Sequence, residues 1–101
     1  MTAARGTAPT TVRSLTATAT KSGIALTWVA PASDGGSAVT GFKVYRGTKT
    51  GAETLYVSYG SDAIGMTDTA VAKRTTYFYK VTAVNVLGES VFSAEVSATP
   101  R

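Results

Sequence analysis

The stretch TTYFYKVTAVN, residues 75–85, decides the fold, because it sets three aromatic residues in a row at Tyr77, Phe78 and Tyr79. Successive side chains on an extended strand point to opposite faces of the sheet. The three rings therefore cannot share one face, and at least one of them must point outward. This stretch predicts a strand with a core face and an outer face, and it raises the question of whether the outer ring serves in binding.

The composition of the whole chain favours strands. With 101 residues, the chain is large enough for one domain with a single hydrophobic core. Charged residues make up 16% of the sequence, below the roughly 25% of an average soluble domain. Threonine, serine and alanine take their place, and β-branched residues suit a pleated surface. We expect an all-β domain.

Several kinds of chemistry are excluded by the residue inventory. The chain has no cysteine and no histidine, so it can form no disulfide and no zinc-thiolate site, and it lacks the commonest general base. Its acidic residues are scattered, with no spacing that pairs two of them across a cleft. We therefore predict no catalytic, cofactor-binding or metal-binding residue. The six carboxylates are Asp34, Glu53, Asp62, Asp68, Glu89 and Glu95.

The charge distribution and hydropathy bear on partners. The formal net charge is +4, but the basic residues are spread along the chain without a basic stripe, so we predict no nucleic-acid binding. No apolar run approaches the length of a membrane span, so we predict no membrane partner. Residues 1–8 are small, polar and contain no apolar core of a signal peptide, which predicts a linker.

Alternation identifies further strands. In GIALTWVAP, residues 23–31, Ile24, Leu26 and Trp28 fall on one face, and Pro31 ends the strand. In GFKVYRG, residues 41–47, Phe42 and Val44 share a face, and Lys43 and Tyr45 take the other. About seven short strands with regular turns predict an immunoglobulin-like β-sandwich of two antiparallel sheets. The last strand is expected from Ser90 toward Pro100.

Four segments carry a resemblance to a known family. They are IALTW at 24–28 with Pro31, DGGSAVTGFKVYRG at 34–47, YFYKVTAVN at 77–85, and LGES at 87–90 with EVSATP closing the stretch. In order and spacing they resemble a fibronectin type III domain of the bacterial kind, over residues 9–100.

The resemblance implies a role for Tyr77. Val71 and Tyr77 have the spacing of the family's tyrosine corner, whose ring is buried and whose hydroxyl bonds to backbone upstream. Alternation then turns Phe78, Lys80, Thr82 and Val84 outward. The expected core is Trp28, Ile24, Leu26, Phe42, Val44, Tyr77, Tyr79 and Val81.

Two features depart from the family. Lys73 and Arg74 stand where relatives usually place proline or glycine. The Arg-Gly-Asp tripeptide by which some animal members bind integrins is missing from the loop at 85–90. We therefore transfer no integrin-binding role.

The outer residues Lys43, Tyr45, Phe78 and Lys80 form the candidate contact surface. In this family their two strands are neighbours, so an aromatic pair flanked by lysines could contact a sugar or a neighbouring module. The alternative is cross-strand pairing, which stabilises a sheet without any ligand and which we favour.

The resemblance implies a non-catalytic accessory or spacer module of a multi-domain, secreted bacterial protein, such as a chitinase or cellulase. It would act as a monomer whose partners are neighbouring domains of the same polypeptide and, weakly, polysaccharide. Two alternatives stay open: a carbohydrate- or protein-binding module that uses the outer sheet face, and a structural module of a phage tail or surface adhesin.

Overall fold

The computed structural model describes residues 6–100, so most of the predicted linker at residues 1–8 lies outside the described part. Residues 6–100 contain strands and no helix, which confirms the all-β prediction. The strands are β1 (Arg13–Thr20), β2 (Gly23–Val29), β3 (Gly41–Gly47), β4 (Thr54–Gly60), β5 (Gly65–Asp68), β6 (Tyr77–Asn85), β7 (Gly88–Glu89) and β8 (Val96–Ala98).

Two antiparallel sheets pack face to face. The three-stranded sheet has the order β1-β2-β5, and the five-stranded sheet has the order β4-β3-β6-β7, with β8 paired to the remaining part of the β6 edge. Each sheet has one apolar face, because small and polar residues alternate with large apolar ones along the strands. The result is the immunoglobulin-like sandwich that the alternation predicted, with eight strands instead of about seven.

The core lies between the two sheets. The ring of Trp28 from β2 packs against that of Phe42 from β3, with centroids 5.8 Å apart, and the Trp28 indole N–H donates to the backbone oxygen of Ala63. The eight residues proposed for the core are all less than 9% exposed, and three further apolar residues complete the cluster: Val12, Leu15 and Ala83.

Tyr77 begins β6 with its ring in this core and its hydroxyl at the turn before the strand. The hydroxyl oxygen accepts a hydrogen bond from the backbone N–H of Ala72, at 2.8 Å. The contact joins the preceding turn to the first residue of β6. This is the upstream backbone bond that the tyrosine-corner resemblance implies.

The turn at Lys73–Arg74, where family members usually have proline or glycine, contains a residue with an unfavourable backbone conformation. Arg74 has a φ of 65°, in the left-handed region that side chains with a Cβ rarely adopt. Its backbone N–H donates to the carbonyl of Pro100, at 2.8 Å, which holds the turn against the end of the domain. The backbone conformation is therefore the one that glycine prefers.

We expect Arg74→Gly to raise the free energy of unfolding by about 0.5 to 1 kcal/mol, because it relieves the left-handed strain and keeps the N–H that Pro100 accepts. Chemical denaturation of both proteins measures the difference. Lys73→Gly is the matched control, since Lys73 has no positive φ. Equal stabilisation by both substitutions would show that backbone strain at Arg74 is not the cause.

The prediction of one last strand from Ser90 to Pro100 is wrong. Residues 90–95 lie beside β6 without forming a strand, and regular pairing resumes only at Val96–Ala98. The reason is that two serine hydroxyls take the place of backbone acceptors. Ser90 Oγ accepts from the N–H of Ala83, and Ser93 Oγ accepts from the N–H of Val81, each at 2.9 Å.

The first and last described segments lie at opposite ends of the sandwich. At the N-terminal end, the N–H of Thr7 donates to Gly35, and the side-chain amide of Asn85 donates to the carbonyls of Thr7 and Asp34. At the C-terminal end, Pro100 accepts from Arg74. The nine-residue strand β6 runs between these ends and spans about 30 Å.

Candidate functional site

The candidate surface lies on the outer face of the five-stranded sheet. In the register of β3 and β6, Tyr45 stands opposite Lys80, and Gly47 stands opposite Phe78. Lys43 stands two residues before Tyr45 on β3, opposite Thr82. The structure thus brings Lys43, Tyr45 and Lys80 together and sets Phe78 diagonally from Tyr45, toward the C-terminal end.

The aromatic partner of Tyr45 is Phe92, which the sequence reading did not assign. Its ring lies edge-to-face with that of Tyr45, with centroids 4.9 Å apart and planes at 89°. The Lys80 ammonium sits over the same phenylalanine ring, 5.1 Å from its centroid. Phe92 is half exposed and follows the two-residue strand β7, in the segment wrongly expected to be regular. Alternation through a strand could not have placed it.

Glu89 on β7 completes the surface, which we call the outer-face patch: Lys43, Tyr45, Phe78, Lys80, Glu89 and Phe92. The Glu89 carboxylate accepts hydrogen bonds from the hydroxyls of Tyr45 and Thr82 and lies 4.0 Å from the Lys43 ammonium. Thr82 faces outward, as the alternation predicted, but its side chain is covered. It is 1% exposed, because Glu89 covers and bonds its hydroxyl.

These contacts fix the charges of the patch. Burial, together with the adjacent Glu89 carboxylate, raises the pKa of Tyr45 to about 12. Burial acts to raise the pKa of Glu89 as well, but hydrogen bonds from Thr82 and Tyr45 outweigh it, so the pKa of that carboxyl lies below its ordinary value. At neutral pH the patch therefore holds a neutral phenol and an ionised carboxylate.

The groups of the patch are engaged mainly with one another. Tyr45 directs its hydroxyl at Glu89, Lys80 lies over Phe92, and the two contacting rings are perpendicular. Stacking on a sugar or another flat ligand uses free, similarly oriented ring faces. The contacts instead join β3, β6, β7 and the segment at 90–95 to one another.

A second polar cluster lies inside the sandwich, around Asp68 at the end of β5. Its carboxylate is 1% exposed and accepts from the hydroxyls of Tyr79 and Tyr56, at 2.7 and 2.8 Å. The Arg46 guanidinium donates to it at 2.8 Å and also lies 3.9 Å from the centroid of the Tyr56 ring. A fourth bond comes from the N–H of Ala70.

The Asp68 cluster is fully paired. Burial acts to raise the pKa of Asp68, but the hydrogen bonds from Tyr79, Tyr56 and Arg46 outweigh it, and the pKa lies below the ordinary range. Burial and the neighbouring carboxylate raise the pKa of Tyr79. The sequence carried one signal for this site, because Asp68 stands two residues after Met66, which packs against the core, on the same strand.

Two carboxylates do come together, although no pairing was expected. The side chains of Glu53, just before β4, and Glu95, just before β8, lie beside each other, and the Glu95 carboxyl acts to raise the pKa of Glu53. The contact joins residues 42 positions apart, which no spacing rule could reveal. Neither residue lines the surface depression of about 680 Å³ along β2 and β5, which includes Thr27, Asp62 and Ile64.

Two further features concern metal ions and membranes. Within residues 6–100, acidic side chains do not gather in threes as possible metal ligands. The same residues include no helix long and apolar enough to cross a membrane.

Comparison with known proteins agrees with this architecture. Exoglucanase B of Cellulomonas fimi is 38% identical over 97 residues, which cover 94% of this chain and only 8% of that enzyme. The crystal structure of an Fn3-like protein from Clostridium thermocellum is 32% identical, with a TM-score of 0.77, and the match covers 94% of this chain and 96% of the other.

A β-1,2-glucanase from Parabacteroides distasonis contains the same fold, with a TM-score of 0.74 and 24% identity, over 98% of this chain and 13% of the glucanase. The sequence profile described as "Fibronectin type III domain" matches residues 7–99, which is nearly the whole chain. Together with the two-sheet topology and the corner at Tyr77, this match shows that the chain belongs to the fibronectin type III family, of the kind found in bacterial glycosidases.

Proposed function

We propose that this domain is a non-catalytic spacer in a multi-domain, extracellular bacterial enzyme that degrades a polysaccharide. Its role is geometric: it sets the distance and direction between the domain that precedes it and the domain that follows it. Such a spacer raises the effective concentration of one domain at the surface to which the other is bound.

The observation that carries this proposal is the position of Thr7 and Pro100 at opposite ends of the sandwich. Thr7 is held at the N-terminal end of the sandwich by Gly35 and Asn85, and Pro100 is held at the C-terminal end by Arg74. A domain with both ends on one side would form a branch. A domain with its ends about 30 Å apart, the length of a nine-residue strand, is an in-line rod.

Rigidity at the N-terminal end supports the same role. The side chain of Asn85 is buried, and its amide nitrogen donates to the carbonyls of Thr7 and Asp34. Its amide oxygen accepts from the N–H groups of Leu87 and Gly88. One side chain therefore ties the incoming chain to two loops. A spacer transmits orientation only when its attachment points are fixed in this way.

The glycosidase assignment rests on relatives. The chain spans 8% of the exoglucanase and 13% of the glucanase, so the rest of each protein lies outside the region of similarity. Both are enzymes on glucans by name, and the similar region is a small portion of each. We place this domain in a polypeptide of the same class, with polysaccharide as the substrate of a neighbouring domain.

The test uses the full-length parent enzyme in three forms: intact, with residues 7–99 replaced by an unrelated fibronectin type III domain, and with the same residues replaced by a flexible glycine-serine linker. We expect the linker form to lose activity on insoluble polymer and to keep its activity on soluble oligosaccharides. The swapped domain should restore activity, because only length and stiffness matter.

Binding measurements on the isolated domain can contradict the spacer function. We expect it to release no sugar and to bind soluble oligosaccharides no more tightly than about 1 mM, or about 4 kcal/mol of binding free energy. Micromolar binding that is abolished by Tyr45→Ala or Phe78→Ala would contradict the spacer function. It would favour a carbohydrate-binding module that uses the outer-face patch.

A further inference from the structure

Glu53 lies in an environment that disfavours the ionised form of its carboxyl group. Its side chain is 3% exposed, and no N–H or O–H group among residues 6–100 donates to its Oε2 atom. The Lys80 ammonium lies 3.8 Å from its other oxygen, Oε1, beyond hydrogen-bonding distance. A buried charged oxygen without a donor is costly, so its protonation state needs an explanation.

The group in contact with Glu53 is a second carboxyl, that of Glu95. Glu95 already accepts two hydrogen bonds from the turn between β3 and β4, one from Thr50 Oγ1 at 2.5 Å and one from the N–H of Gly51 at 2.9 Å. Ionised carboxylates only accept hydrogen bonds, and two of them in contact repel each other. A hydrogen bond between these two groups therefore needs one proton.

The surroundings decide which group holds that proton. Glu95 is partly exposed, and two donors favour its ionised form, whereas Glu53 is buried and lacks a donor at Oε2. Desolvation acts against charge on Glu53 most strongly, because it is the more buried of the two. The proton belongs on Glu53, which then donates to the Glu95 carboxylate.

We propose that Glu53 and Glu95 share one proton and form an acid-closed latch, which fastens the turn between β3 and β4 to the segment before β8 and releases it as the pH rises. The latch consists of Thr50, Gly51, Glu53 and Glu95. When Glu53 ionises, the two carboxylates repel, and Glu95 moves away from the turn residues that it holds.

The charged group that faces the latch from the neighbouring strand is Lys80 on β6, which acts on both carboxyls. The Lys80 ammonium favours the ionised form of both carboxyls, so it acts against protonation of Glu53. Burial and the Glu95 contact nevertheless raise the pKa of Glu53. Hydrogen bonds from Glu53, Thr50 and Gly51 lower the pKa of Glu95 to about 2.

The direction of the pH effect follows from these shifts. A carboxyl whose pKa is raised by folding binds more protons in the folded state, so its contribution to stability falls as the pH rises from the ordinary glutamate value of about 4.3 through the raised folded pKa. Glu95 gives the opposite effect only in stronger acid, as the pH falls toward about 2. The latch is therefore closed in mild acid and opens above it.

The experiment is an NMR titration of the intact chain, following the side-chain carboxyl carbons and the protection of the Gly51 amide after correction for intrinsic exchange. We expect Glu53 to titrate above the ordinary range and Glu95 below it. As Glu53 ionises, the protection of Gly51 should fall by about tenfold for each unit by which the pKa of Glu53 is raised.

Two variants test the shared proton directly. Glu53→Gln carries a permanent donor, so protection of Gly51 should become independent of pH in the same range. Glu95→Gln removes the partner charge, so the pKa of Glu53 should return toward about 4.3. Asp62→Asn, at an exposed position at the other end of the sandwich, is the control and should change neither.

An ordinary pKa for Glu53 in the unaltered chain would overturn the proposal. So would protection of Gly51 that stays constant while Glu53 titrates, because the latch would then have no effect on the turn. Persistent pH dependence in Glu53→Gln would also overturn it, since the titrating group would have to be another residue.

Discussion

Trp28→Ala should lower the free energy of unfolding by about 3 to 5 kcal/mol, a large part of the roughly 5 to 15 kcal/mol that a small domain usually has. The indole is 3% exposed and packs on Phe42, so its removal leaves a cavity between the sheets. It also leaves the carbonyl of Ala63 without its indole donor. Guanidinium denaturation followed by circular dichroism measures the loss, because the substitution removes the only tryptophan fluorophore.

The neighbouring position supplies the control for Trp28. Val29 follows on the same strand but points outward and is 44% exposed. Val29→Ala should therefore lower the free energy of unfolding by much less than Trp28→Ala does. A loss below about 1 kcal/mol for Trp28→Ala would mean that the indole contributes little to the core. The strand register between β2 and β5 would then need revision.

Asp68→Ala should lower the free energy of unfolding by a comparable amount, about 3 to 5 kcal/mol, because it breaks an ion pair whose carboxylate is buried and removes the acceptor that three side chains share. Arg46 loses its ion pair, and the hydroxyls of Tyr56 and Tyr79 lose their common partner inside the sandwich. Denaturant unfolding again measures the effect. Asp62→Ala removes an exposed carboxylate and should cost less than about 0.5 kcal/mol.

Acid provides a second test of Asp68. Its pKa is lowered by folding, so its contribution to stability is fully present above the unfolded value of about 3.9 and is lost as the pH falls through the lower folded pKa. The loss of stability in acid should therefore be smaller in Asp68→Ala than in the unaltered chain. An identical loss of stability in acid would show that Asp68 is not the responsible carboxylate.

Local pattern was sufficient for much of this fold. Alternation in β2, β3 and β6 indicated which residues face the core, because a strand with one buried face must keep a period of two. Threonine-rich composition and regular turns indicated a sandwich. These signals are local, and each depends on residues within one strand or one turn.

The polar sites could not be found in the same way. Asp68 meets Arg46 and Tyr56 through three different strands, and Glu53 meets Glu95 across 42 positions. Such contacts depend on the order of strands in each sheet and on the irregular segments that pair with the sheet edges. The segment at 90–95 illustrates the second point, because Ser90 and Ser93 replace backbone acceptors there and so carry Phe92 onto the outer face.

The opposed positions of Thr7 and Pro100 have a mechanical consequence. A pulling force applied through the two ends acts nearly along the strands, because β1 and β6 run from one end of the sandwich to the other. The hydrogen bonds between antiparallel strands are perpendicular to that direction. They are therefore loaded together in shear and are not opened one after another, so we expect the domain to resist extension along this axis.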